Sequence, residues 1–261
     1  MPSLSGPATR KISIVAALRF IAQTVLQNAG VAARVALPWL ALAALFNAWA
    51  LWSHPNDEAA TLSTMNFGPY DYLANAVSIL ATSSIAVSWH RHVILNDDMK
   101  LVQAFHIDKK VLVYAASNLL ISMAIVLPLL LLIVVINAVV PALIVPLATA
   151  LLLLSIMFII RLSLRPVAIA VGNLPFKFQN AFEATRGNNL AILAIAITVG
   201  LVCAIALVVA GMLSQGLAQA NPKLDLPGRI LLSIPAEFFS LVVVNAMFST
   251  LYRFFAEAKE L

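Results

Sequence analysis

Long uncharged apolar stretches separated by short polar clusters set the pattern of this chain. A helix that crosses the hydrocarbon of a bilayer needs about 20 mostly apolar residues, so the uncharged intervals read directly as crossings. No charge falls between Arg34 and Asp57, which predicts a first span at roughly 35–51. The interval between Asp71 and Arg91 predicts a second at roughly 72–89. From Lys110 to Arg161 the chain is uncharged for fifty residues, too long for one crossing. A polar residue and a proline in Asn137-Ala-Val-Val-Pro141 mark a turn there, so spans three and four are predicted at roughly 111–136 and 142–160. The fifth falls at roughly 190–213 and the sixth at 234–254. The fold class is all-α: one polytopic membrane domain of six transmembrane helices.

Two further segments have helical periodicity without the length or apolarity to cross. In residues 12–28, Arg19, Gln23 and Gln27 repeat at every fourth position, while Ile14, Leu18, Ile21 and Val25 cover the opposite face. That is the pattern of a helix lying in the headgroup plane. Residues 176–186 set Phe178 and Phe182 against Lys177 and Glu183 in the same way. Each runs into a span through a polar elbow, Thr24-Val-Leu-Gln-Asn28 in one case and Thr185-Arg-Gly-Asn-Asn189 in the other. The expectation is two interfacial helices, either the relics of a duplication or two uses of one membrane-entry chemistry.

Composition agrees with the pattern. The 261 residues are 62% hydrophobic and 10% charged, with a mean hydropathy of +0.98. A soluble domain is about 45–50% apolar and about 25% charged, so lipid must be part of this chain's solvent. The net charge of +5 does not point to nucleic acid, because the basic residues form no basic helix or aromatic-basic box. They record topology instead. Arg10, Lys11, Arg19 and Arg34 precede span one; Arg91, Lys100, Lys109 and Lys110 lie between two and three; Arg161, Arg165, Lys177 and Arg186 lie between four and five; Arg253 and Lys259 come after six. Only Lys223 and Arg229 fall on the other side, fourteen against two. By the positive-inside rule both termini are expected in the cytoplasm. Arg10 and Lys11 resemble the start of a signal peptide, but Arg19, Gln23, Gln27 and Asn28 interrupt the apolar stretch after them and no good cleavage site appears. Cys203 is the one cysteine and sits in an apolar run, so it reads as packing.

The candidate chemistry is sparse. In Trp89-His-Arg-His92 the two histidines stand two apart, about 200° around a helix, so His90 and His92 do not share a metal ion. With Trp89 they read as an interfacial anchor, and no metal or cofactor is expected. Arg161 and Arg165 share a helix face at the end of span four. Together with Arg91 they could line a pocket for an anionic phospholipid headgroup, against the plainer reading of snorkelling anchors. Glu237 is the one acid inside a span. It is either an intramembrane functional group or, with Ser233 and Pro235 just before it, a first-turn residue near the outer interface. Asn75, Ser78 and Thr82 in span two, and Ser117, Asn118 and Ser122 in span three, could line a path or knit helices together. Prolines 38, 128 and 146 are candidate kinks. Asp97 and Asp98 beside His92 belong to no longer catalytic pattern, and no hydrolase, metalloprotease, P-loop or dinucleotide motif is found.

Arg161-Leu-Ser-Leu-Arg-Pro166, continuing through Ala168-Ile-Ala-Val-Gly172 to Ala181-Phe-Glu-Ala-Thr-Arg-Gly-Asn188, resembles bacterial inner-membrane proteins of the YciC-like type. It is similar too to the membrane domain attached to some glycerophosphoryl diester phosphodiesterases. Trp89-His-Arg91 and Leu251-Tyr-Arg253 look like alphaproteobacterial members. The resemblance covers about a third of the chain. It implies a six-helix bundle in a bacterial inner membrane and little chemistry, since the catalytic residues of the fused enzymes lie in a separate soluble barrel. The Ser-Trp that often precedes the Thr-Arg-Gly-Asn elbow is replaced by Glu183-Ala184. The leading expectation is a non-enzymatic membrane protein serving envelope or lipid organisation, with membrane lipid as its partner. The alternative is a small transporter or channel lined by the polar faces of spans two and three. A lipid enzyme using His92, Asp97 and Asp98 comes third.

Overall fold

Inside a bilayer a backbone polar group can bond only within the protein, which leaves helices and closed barrels as spanning structures. The computed structural model describes residues 10–53, 68–97, 105, 107–140 and 144–257. Among these the chain forms seven α-helices and no strand. Six are long and apolar enough to cross a membrane. They are α1 (Ile14–Ser53), α2 (Pro69–Leu95), α3 (Lys109–Val139), α4 (Ile144–Val171), α6 (Asn189–Ala220) and α7 (Asp225–Phe255), while α5 (Phe178–Ala184) is a short connector. The protein is a polytopic all-α membrane protein.

Most boundaries have a local cause. Asp108 caps α3 by accepting from the Val111 amide at 2.9 Å. The end of α3 at Val139 and the start of α4 at Ile144 place the hairpin where the Asn137–Pro141 signal put it. Pro146 lies in the first turn of α4, where no amide is required, and so does not act as a mid-helix kink; Pro38, Pro128, Pro166 and Pro235 are the prolines inside helices. α4 ends at Gly172, whose φ of 83° turns the chain back so that the Asn173 amide reaches the Ala168 carbonyl at 2.8 Å.

Two expectations are corrected. Residues 12–28 do not form a separate helix, because α1 runs unbroken for 40 residues. Nothing in Ala29-Gly-Val-Ala-Ala33 stops a helix. Asn28, expected in an elbow, donates to the Thr24 carbonyl one turn back at 2.8 Å. The amphipathic pattern survives, with Arg19, Gln23 and Gln27 exposed, but Ala17 and Ile21 are buried in the protein core and not in a headgroup layer. At about 1.5 Å per residue α1 is about 60 Å long, twice the ~30 Å hydrocarbon core.

Helix α7 also begins earlier than expected, at Asp225. An Asp225–Arg229 pair one turn apart, at 2.9 Å, supports the added turns. Glu237 therefore lies about three turns into the helix, not in its first turn, and is exposed.

Packing is uneven along the bundle. Helix α1 packs on α2 and α7, α6 packs on α7, and α3 pairs with α4. The main core gathers Trp89, Leu164, Val167, Ile192, Ile195, Leu251 and Tyr252 at the basic end, the end that carries Arg91, Arg161 and Arg253. Both ends of the described chain meet there, the Arg10 guanidinium lying 4.6 Å from the Phe254 ring. In α3 and α4 burial stops abruptly toward the far end. Ile121 is the last buried hydrophobic residue described on α3, and Ile160 is the first on α4.

Candidate functional site

Two helices show how the bundle opens. Asn75, Ile79, Thr82 and Ala86 lie on one face of α2, at helical spacing. Ala86 is buried against Val111, Tyr114 and Ala170 of α3 and α4, whereas Asn75, Ile79 and Thr82 are exposed. On α7 the same happens along Leu231, Pro235, Phe239, Val242, Ala246 and Ser249: the first three are exposed and the last three buried. The α2 face that packs on α3 and α4 near the basic end, and this face of α7, thus both lose their cover toward the far end. Uncovered faces of α2 and α7 thus stand toward the end at which the α3–α4 hairpin also buries few residues.

The covered end carries polar contacts. His90 is fully buried, with Nδ1 2.8 Å from Ser249 Oγ on α7 and Nε2 3.2 Å from the Tyr114 hydroxyl on α3. A neutral imidazole has one donor and one acceptor nitrogen, and each hydroxyl can rotate to complement either tautomer. Asn118 hydrogen-bonds Tyr114 in turn. Three helices are therefore closed onto one ring. Thr82 and Ser78 are partly satisfied locally: the Thr82 hydroxyl donates to the Ser78 carbonyl at 2.9 Å, and Asn47 of α1 reaches Ser78 Oγ at 3.5 Å.

The remaining residues singled out by sequence fall elsewhere. Trp89 is 2% exposed and packs in the core, so neither it nor His90 sits at a headgroup surface. His92 does reach outward: Nε2 lies 2.9 Å from Asn28 Oδ1 and Nδ1 lies 3.0 Å from the Asp97 carbonyl. Arg91 pairs with the Asp97 carboxylate. Asp98, Lys100 and Lys259 lie outside the described residues. Arg161 donates from Nε to Thr185 Oγ1 at 2.7 Å and from Nη2 to the Phe182 carbonyl at 2.8 Å, with its guanidinium 4.5 Å from the Phe182 ring. Arg165 donates from Nη1 to the Phe176 carbonyl at 2.7 Å and the Leu174 carbonyl at 3.2 Å. Both arginines thus hold the connection from α4 to α6. Asn188 extends the clamp by donating to the Arg10 carbonyl at 2.7 Å and accepting from the Ile12 amide at 3.0 Å.

Glu237 stands on α7 two residues from both Pro235 and Phe239, and so points away from the face they share. Ser233, one turn earlier, hydrogen-bonds it. Among the described residues no three His, Cys, Asp or Glu side chains are grouped to hold a metal. Ser249 and Tyr114 do not stand out in the sequence. A weak signal exists in Asn245 and Ser249, polar residues one turn apart deep in span six, since a buried polar group in lipid needs a partner. No family model matches the chain, and no curated protein or solved structure matches it.

Proposed function

We propose that this protein is a small membrane carrier or conduit, and that the uncovered faces of α2 and α7 and the α3–α4 hairpin enclose a crevice that is its binding space. The carrying observation is the change along one face of α2, from buried Ala86 to exposed Thr82, Ile79 and Asn75. A helix surface polar at depth and uncovered at one end is what a solute path entered from that end requires. By the positive-inside rule the basic end faces the cytoplasm, so the crevice opens to the opposite side and the His90–Ser249–Tyr114 layer closes it below. The wall positions on α2 and α7 carry no charge, which favours an uncharged solute with few hydrogen-bonding groups. The engagement of Arg161 and Arg165 by main-chain carbonyls weighs against the anionic-lipid reading.

Thiol accessibility tests the proposal. In a Cys203→Ser background, Thr82→Cys and Asn75→Cys should react with a membrane-impermeant thiol reagent added from the far side, and Ala86→Cys should not. Val126→Cys on the exposed face of α3 reports the reactivity of a lipid-facing thiol. If Thr82→Cys and Asn75→Cys are as inert as Val126→Cys, the crevice is filled by lipid and the proposal fails.

A further inference from the structure

Between α1, α2 and α7 lies a small cavity separate from the crevice, lined by Ala32, Val35, Ile85, Trp89, Val242 and Asn245. It offers about 10 Å³ to the centre of a water-sized sphere, close to the minimum that one water needs. Four of the six lining residues are aliphatic, so what matters is the two polar groups among them.

Trp89 Nε1 is buried and has no hydrogen-bond partner in the protein. An indole N–H can only donate, and a donor left unpaired in a core is destabilising. Asn245 is 5% exposed. Its Nδ2 donates to the Leu241 carbonyl at 2.8 Å, which fixes the amide orientation and leaves Oδ1 as an acceptor. The two polar lining residues thus bring one unpaired donor and one acceptor.

We propose that this cavity is a binding site for a single water molecule that accepts from Trp89 Nε1–H and donates to Asn245 Oδ1. The pairing selects the ligand class. An anion would gain the one indole donor but would face the amide oxygen. A cation would find that oxygen and no carboxylate among the lining residues. Water both donates and accepts, and it fits the volume. The water would join α2 to α7 one turn from the Ser249–His90 bond, extending the polar contact between these helices toward α1.

Indole-¹⁵N labelling of the full-length protein in lipid nanodiscs tests this. The Trp89 indole proton should show a cross-relaxation peak to a long-lived water, and the peak should be lost in Asn245→Leu, whose side chain removes the acceptor and occupies the space. Trp89→Phe assigns the resonance. If that variant does not fold, Phe variants of Trp39, Trp49 and Trp52 assign it by elimination, leaving the wild-type measurement decisive. A Trp89 indole proton without a water peak overturns the proposal, and so does a water peak that persists unchanged in a folded Asn245→Leu protein.

Discussion

Arg161 is held to one short stretch by two hydrogen bonds and a ring contact, to Thr185 Oγ1, the Phe182 carbonyl and the Phe182 face. Only a planar guanidinium can make the three together, because the two donors leave the fork in fixed directions while its face stacks on the ring. A lysine carries one mobile ammonium and would lose at least one bond and the stacking. Arg161→Lys is therefore expected to destabilise the protein by about 1–2 kcal/mol, and Arg161→Ala by more, since the buried Thr185 hydroxyl loses its donor and the Phe182 carbonyl keeps only the longer bond from Thr185. Thermal unfolding in detergent provides the check. A lysine variant that melts with the wild type would mean that the guanidinium geometry is irrelevant and only the charge matters. At this scale the sequence was least informative. It located Arg161, Trp89 and His90 at the end of spans but not what they touch. The partner of His90 on α7 is 159 positions away, and no local pattern reports so distant a contact.

Elements were more legible, for a physical reason. In lipid the choice of backbone structure is nearly forced, and the charges that must stay in water mark where each helix ends. The errors fall where that logic has no grip. Outside the hydrocarbon an Asp–Arg pair lengthens α7, and an amphipathic segment that could have lain on the membrane continues as the first turns of α1. The α4 terminus gives a test at this level. Gly172 has φ of 83°, and a Cβ added there would meet nothing within 4 Å. Any cost of Gly172→Ala is therefore conformational, arising from the left-handed backbone and not from crowding, and should be about 1 kcal/mol. Gly200, inside α6, is equally uncrowded but lacks a positive φ. There alanine is the better helix former, so Gly200→Ala should not lower the melting temperature. Equal behaviour of the two variants would show that the α4 turn is not set by Gly172.

At the level of the whole molecule, the bundle is two structures end to end. The basic end holds the large core cluster, the Arg161–Thr185 and Asn188 clamps and the His90 layer; the far end keeps helix pairs but covers few side chains. Span count was readable from the sequence, but this asymmetry was not. Leucines near both ends of the α3–α4 hairpin are equally apolar, and hydropathy cannot separate a lipid-facing leucine from one facing protein. Burial does: Leu164 is 1% exposed and Leu131 is 67% exposed. Truncating a side chain surrounded by protein leaves a cavity that neighbours fill only in part, whereas acyl chains flow into the space left at a lipid-facing position. Leu164→Ala should accordingly cost about 2–5 kcal/mol. Leu131→Ala should leave the melting temperature in lipid nanodiscs close to wild type, because lipid is as apolar as leucine. The comparison bears on how such a protein could move. If stability is concentrated at the basic end, the far half of the hairpin can change its separation from α2 and α7 without breaking the core, which a crevice that admits and releases a solute requires. Equal losses from the two substitutions would instead mean that the far half is as tightly held as the base, and a hinged hairpin would then be ruled out.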